Sequence, residues 1–159
     1  VHVVVNADKK LDLWLGEAKL YGDMRDAITQ VVKSLKEHID QDFLRREFLA
    51  VTNKFDAGWE HKEQLEDLLD ENTSLDVIVE HIVMPVLLTY KSSAINRYDK
   101  VCDEYENDLI GEAREAWQQF QTRLGCNFPV TIYFIVLPLE DTAKVREIAH
   151  EVLLNYQKL

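Results

Sequence analysis

An α/β domain, with a mixed sheet flanked by helices, is the fold this sequence predicts, and three observations predict it. Short apolar runs rich in Val, Ile, Leu and aromatic residues recur at 1–5, 11–19, 82–90 and 130–137, and such runs form strands. Between them lie stretches whose apolar residues follow the i, i+3, i+4, i+7 spacing of a helix with one buried face. No internal repeat or low-complexity linker interrupts this alternation, and 159 residues are enough for one domain with a real core.

The elements follow in order. Val1-His2-Val3-Val4-Val5 reads as a strand, Asn6–Lys10 supplies turn residues, and 11–19 reads as the return strand of a hairpin. Asp23 is placed to cap a helix whose stripe is Met24, Ala27, Ile28, Val31, Val32, Leu35 and Ile39, ending near His38–Asp40. Phe48–Thr52 reads as a short buried strand, and the helical crossover before it predicts parallel pairing with strand 11–19. Residues 59–71 form a short acidic helix on Leu65, Leu68 and Leu69, whereas 74–80 fits helix or strand. Ile82–Tyr90 reads as a strand, with Pro85 pointing to an edge or a bulge. A long helix is expected over 94–124, through Val101, Tyr105, Leu109, Ala113, Trp117, Phe120 and Leu124, with Gly125 closing it. Val130–Leu137 is the clearest strand. A last helix over 141–157, capped by Asp141 or Thr142, should turn Val145, Ile148, Ala149, Val152 and Leu153 inward.

The bulk numbers exclude several classes. No apolar run is long enough to span a membrane and no signal peptide heads the chain. Cys102 and Cys126 form no CxxC or Cys/His metal pattern, and two lone thiols suit a reducing cytoplasm. Twenty-nine acidic residues against 18 basic give a net charge of −11, which argues against strong unaided affinity for a phosphate backbone. A nucleic-acid enzyme of this charge needs a partner to deliver substrate, or a local basic cleft that the total hides.

The residues with chemical promise end the second strand. Leu11-Asp12-Leu13-Trp14-Leu15-Gly16-Glu17-Ala18-Lys19 puts Glu17 and Lys19 on one face by strand parity. A carboxylate beside an ammonium at the end of a core strand is how a metal-dependent nuclease holds a divalent ion near an activated water. The pattern (Asp/Glu)-x-Lys also occurs at Asp8–Lys10 and Glu60–Lys62, but in a turn and on a surface helix. The competing reading of Glu17 and Lys19 is a solvated ion pair worth little. One carboxylate seldom holds a divalent ion against water, so a second acid is needed. Asp12 has the opposite parity and Asp8 lies in the turn. A hairpin centred near Asp8–Lys9 places the residue facing Glu17 at or just ahead of Val1, so the chain is expected to lack the N-terminal part of the core. Within this reading Glu17 and the Ala18 carbonyl bind Mg²⁺ or Mn²⁺, and Lys19 orients or deprotonates the attacking water. Gln30 and Lys33, on the next helix, are candidate phosphate contacts. His2 points at the site or into the core, His38 caps carbonyls at its helix end, and His61, His81 and His150 show no ligand spacing.

Leu13-Trp14-Leu15-Gly16-Glu17-Ala18-Lys19-Leu20-Tyr21, followed by Ala27-Ile28 and then Ser34 and His38, resembles the HamA family, the nuclease subunits of the Hachiman antiphage defence system. The resemblance covers most of the chain and is strongest over 13–38. It implies a restriction-endonuclease-like PD-(D/E)xK fold, with Glu17 and Lys19 as the catalytic pair and a preceding acid upstream of this chain. It divides the single domain into a nuclease core over 1–55 and a family-specific elaboration over 56–159. It also implies a superfamily 2 helicase partner, HamB, that engages the DNA substrate. The expected function is therefore metal-dependent DNA cleavage within a defence complex. The alternatives are a catalytically inactive nuclease-like module that regulates a partner ATPase, and an RNA-directed nuclease.

Overall fold

The computed structural model describes residues 2–39, 44, 46–47, 55 and 58–157. Strand β1 (His2–Val5) pairs antiparallel with β2 (Leu11–Trp14), His2 lying opposite Trp14 and Val5 opposite Leu11. Asn6 builds the turn: its side-chain oxygen accepts from the Asp8 and Lys10 amides, and Lys9 takes a positive φ of 60°. Strand β3 (Glu17–Leu20) follows after a gap at Leu15–Gly16.

The gap has a local cause. β2 and β3 run parallel to β4 (Ile82–Lys91) in one register, Leu13 opposite Ile82 and Glu17 opposite Val86. The Leu13 and Leu15 amides donate to the His81 and Val83 carbonyls. In this parallel ladder the next rung would run from the amide of residue 85 to the Leu15 carbonyl, and Pro85 has no N–H. The strand expected over 11–19 is therefore present with a missing rung, and β3 runs on to Leu20. Pro85 does not mark an edge: β4 is central, flanked on its other side by β5 (Thr131–Leu139), which pairs along its whole length. The predicted strand at 48–52 lies outside the described residues, and the parallel neighbour that is described is β4.

Helix α1 (Met24–His38) starts at Asp23, whose carboxylate accepts from the Arg25 and Asp26 amides, and ends at His38 as expected. Its Ala27, Ile28, Val31, Val32 and Leu35 are buried in one core cluster with Leu11, Leu13 and Leu15 and with Ile82, Met84, Val86 and Leu88 of β4. Short helices α2 (Lys62–Leu68) and α3 (Leu75–Val79) precede β4, so the ambiguous 74–80 segment is helical.

The long helix predicted over 94–124 is two helices, α4 (Ser93–Arg97) and α5 (Asp103–Leu124). Tyr98 and Cys102 are extended, and the Arg97 guanidinium and Tyr98 hydroxyl both donate to Asp108, folding α4 back on α5. Val101, expected in the apolar stripe, lies in this link and is exposed. Ala116 and Phe120 carry α5 into the core, and Phe120 stacks on Phe134 of β5. Gly125 caps α5 with φ 96°, a value that favours glycine.

The last helix, α6 (Thr142–Tyr156), is capped by Asp141 through the Ala143 and Lys144 amides. Among the described residues its contacts with the sheet and the β3–α1 link come from its N-terminal turns. A Cβ at Gly22 would lie 3.1 Å from the Thr142 hydroxyl, and Arg146 donates to the Leu20 carbonyl. Val145, Ile148, Ala149, Val152 and Leu153 are exposed, contrary to expectation. On the sheet face away from α1 and α5, Tyr133, Ile135 and Leu137 are exposed as well. An apolar stripe records that a helix is suited to being covered, not what covers it.

Candidate active site

Glu17 opens β3 directly after the missing rung, and Lys19 follows on the same face. That face is the core face, continuing the line of Leu11, Leu13 and Leu15. Strand alternation therefore carries two charges to the rim of the core. Lys19 Nζ lies 2.6 Å from Glu17 Oε1, and the side chains are only 23% and 12% exposed. A freely solvated surface pair does not look like this. Partial burial removes water from both charges and makes the pair a weak source of net stability.

The second oxygen of Glu17 has its own neighbour. His38 Nδ1 lies 3.7 Å from Glu17 Oε2, and the imidazole is 22% exposed. The expectation of a histidine capping helix carbonyls missed this. A signal was available, because Val31, Leu35 and His38 follow one another at i, i+4 and i+7 on the buried stripe. His2 lies opposite Trp14, on the face away from Glu17, and is exposed. His81 Nδ1 is 2.6 Å from the Leu11 carbonyl, while His61 pairs with Glu60 and meets the edge of Trp59.

Gln30 and Lys33 are both exposed. Lys33 pairs with Glu37, and Gln30 stands about 12 Å further along the helix axis from His38. Neither is brought against Glu17 by any described contact. The other two (Asp/Glu)-x-Lys patterns are separated from chemistry: Asp8 and Lys10 are exposed in the hairpin turn, and Lys62 pairs with Glu66 on α2.

Glu17 Oε2, His38 Nδ1 and the Ala18 carbonyl are donors of the kinds that divalent ions take. By ladder alternation the Ala18 carbonyl points away from β4, toward the outer edge of β3. Among the described residues β1 covers only Leu11–Trp14 on that side. No group of three or more His, Cys, Asp or Glu side chains among the described residues is arranged to hold a metal ion. The donors fit a divalent ion in kind, and a full set requires an additional acid.

A second polar cluster lies near the C-terminal end of β4 and escaped sequence reasoning. The half-buried Glu112 carboxylate accepts from the Tyr90 and Ser92 hydroxyls, from the Ser93 amide and hydroxyl, and from the Ala94 amide. Burial pushes its pKa up, but the hydrogen bonds from Ser93, Ser92, Ala94 and Tyr90 together outweigh that and hold it below the usual carboxylate value. Burial, then the hydrogen bond to Glu112 and its charge, raise the Tyr90 phenol.

The chain matches the HamA family model over residues 1–153 of 159. This protein belongs to the HamA family. HamA proteins are components of the Hachiman antiphage defence system, which has more than one component. Comparisons with curated proteins and with solved structures gave no match. No helix among the described residues of this HamA chain is long and apolar enough to cross a membrane.

Proposed function

We propose that this HamA protein is a metal-dependent deoxyribonuclease subunit that works with a superfamily 2 helicase of the HamB kind. The observation that carries the reading is the Glu17–Lys19 pair, held at 2.6 Å and largely withdrawn from water at the rim of the core. A bound divalent ion, Mg²⁺ or Mn²⁺, would supply Lewis-acid polarisation of the scissile phosphate and a more acidic water. Glu17, with a further acid that the described residues do not bring to it, would hold that ion. Lys19 would position the attacking water and neutralise charge as the phosphorus becomes five-coordinate. Water adds to phosphorus in line with the leaving oxygen, the ester P–O bond breaks, and the water proton passes to solvent or to the leaving alkoxide. Gln30 and Lys33 are assigned as outer phosphate contacts, reached only if DNA lies along α1.

The acidic chain fits a division of labour in which the helicase grips DNA and the nuclease need not. A second reading, a catalytically inactive module that regulates a partner ATPase, is favoured by one fact. The described residues offer a single carboxylate at the site and no metal-holding cluster.

The test is degradation of matched DNA and RNA, with Mg²⁺ and separately with Mn²⁺, by the full-length protein, alone and with its cognate helicase, beside Glu17→Ala and Lys19→Ala. Cleavage of DNA that disappears in both folded variants supports the nuclease. Full activity in a folded Lys19→Ala protein overturns the assignment of Lys19, and preference for RNA overturns the substrate. No cleavage in any lane, with the protein folded and metal present, transfers the reading to the inactive module.

A further inference from the structure

The two oxygens of Glu17 face different bases. Oε1 is engaged by Lys19 Nζ at 2.6 Å, and Oε2 faces the imidazole of His38 at 3.7 Å. A gap of 3.7 Å is too long for a direct hydrogen bond. It is near the span of two metal–ligand bonds of about 2.1 Å that meet at one ion with a wide angle. His38 ends α1 on the stripe that packs against the sheet, so core packing sets where the imidazole stands. Lys19 meanwhile holds the carboxylate by its other oxygen, which leaves Oε2 turned toward Nδ1.

We propose that His38 Nδ1 and Glu17 Oε2 are paired donors for one divalent transition-metal ion, of which Mn²⁺ is the representative, and that the site discriminates against Mg²⁺. The reason is ligand chemistry. Mg²⁺ takes oxygen donors and keeps its waters, whereas a neutral imidazole nitrogen suits first-row transition ions. Exchanging an oxygen donor for imidazole therefore shifts preference by ion type, not merely affinity. The inference rests on the reading of Glu17 as a metal ligand and adds a donor from a different element, 21 positions away in sequence.

The experiment uses the metal-free full-length protein and binding, not turnover. Mn²⁺ binding is followed by the loss of the free-ion EPR signal, Mg²⁺ by competition, and the bound Mn²⁺ is examined for ¹⁴N coupling by pulsed EPR. Wild type is expected to bind Mn²⁺ more tightly than Mg²⁺ by about ten-fold or more and to show imidazole ¹⁴N coupling. His38→Gln should weaken Mn²⁺ by about ten-fold, leave Mg²⁺ within about two-fold and abolish the coupling, while Glu17→Gln weakens both ions. If His38→Gln does not fold, the wild-type ¹⁴N signal decides alone. Bound Mn²⁺ without ¹⁴N coupling, or equal affinities untouched by a folded His38→Gln, overturns the proposal while leaving Glu17 as a ligand. Wild type that binds neither ion overturns the metal reading of Glu17 itself, and this proposal with it.

Discussion

Glu112 accepts five hydrogen bonds and links β4, α4 and α5 through one carboxylate. Two of its donors, Tyr90 and Ser92, are almost wholly buried. Glu112→Ala leaves both hydroxyls without this acceptor, at about 1–3 kcal/mol each. A loss of about 3 kcal/mol in urea unfolding is therefore expected. The same residue sets a pH response. Its folded pKa is depressed below the unfolded one, so its contribution is complete above the ordinary glutamate range and is lost as pH falls through the folded value. Asp141, held down by the Lys144 and Ala143 amides of α6, adds in the same direction. Wild type should lose stability as pH falls below about 4.5, and Glu112→Ala should show a flatter profile there. Denaturant midpoints taken between pH 6 and pH 3 check this. The Glu17–Lys19 pair was legible in the sequence because strand parity is a local rule, two residues for one face. Glu112 was not, because its donors lie 18 to 22 residues away and only the packing of α5 over β4 brings them together.

Helix α5 meets the sheet through Phe120, which is fully buried and stacked on Phe134 with ring centroids 4.5 Å apart. Phe120→Ala is expected to cost about 3–5 kcal/mol, from lost burial plus the cavity left behind. Helix α6 behaves oppositely. Its apolar stripe is exposed, so Ile148→Asn should change the stability of this chain by no more than about 0.5 kcal/mol. Amide exchange should be correspondingly fast along α6 beyond its capped first turn, and slow along α1 and β4. Strong protection over 148–156 would show that something covers the stripe. The 3.6-residue period named α6 as a helix correctly and assigned it a buried face that it lacks here. The same period ran through Tyr98–Cys102 as if one helix continued. Nothing in the spacing of Val101 and Tyr105 registers the pull of Asp108 on Arg97 and Tyr98.

At the scale of the molecule, a net charge of −11 opposes association with a polyanion. DNA titrated into this chain alone, at about 0.15 M salt, is expected to give no saturable binding tighter than about 100 μM. Micromolar affinity with a steep salt dependence would reveal a local basic cleft that the total charge conceals. The exposed sheet face and the exposed stripe of α6 are features of the same kind. They lie on consecutive elements, Tyr133 to Leu137 and Val145 to Leu153, and their exposure is visible only when the layers are counted.

The sequence by itself determined the α/β class, the hairpin, the caps at Asp23 and Gly125, the strand that carries Glu17 and Lys19, and membership of the HamA family. These are readings of short-range rules: a period of 2 or 3.6, a capping side chain, a contiguous motif. Only the tertiary structure decided that β4 is central despite Pro85, that the helix over 94–124 is broken, that the apolar stripe of α6 is exposed, and that His38 arrives at Glu17. Each of those depends on which surfaces meet across the chain, and a local period carries no information about its partner.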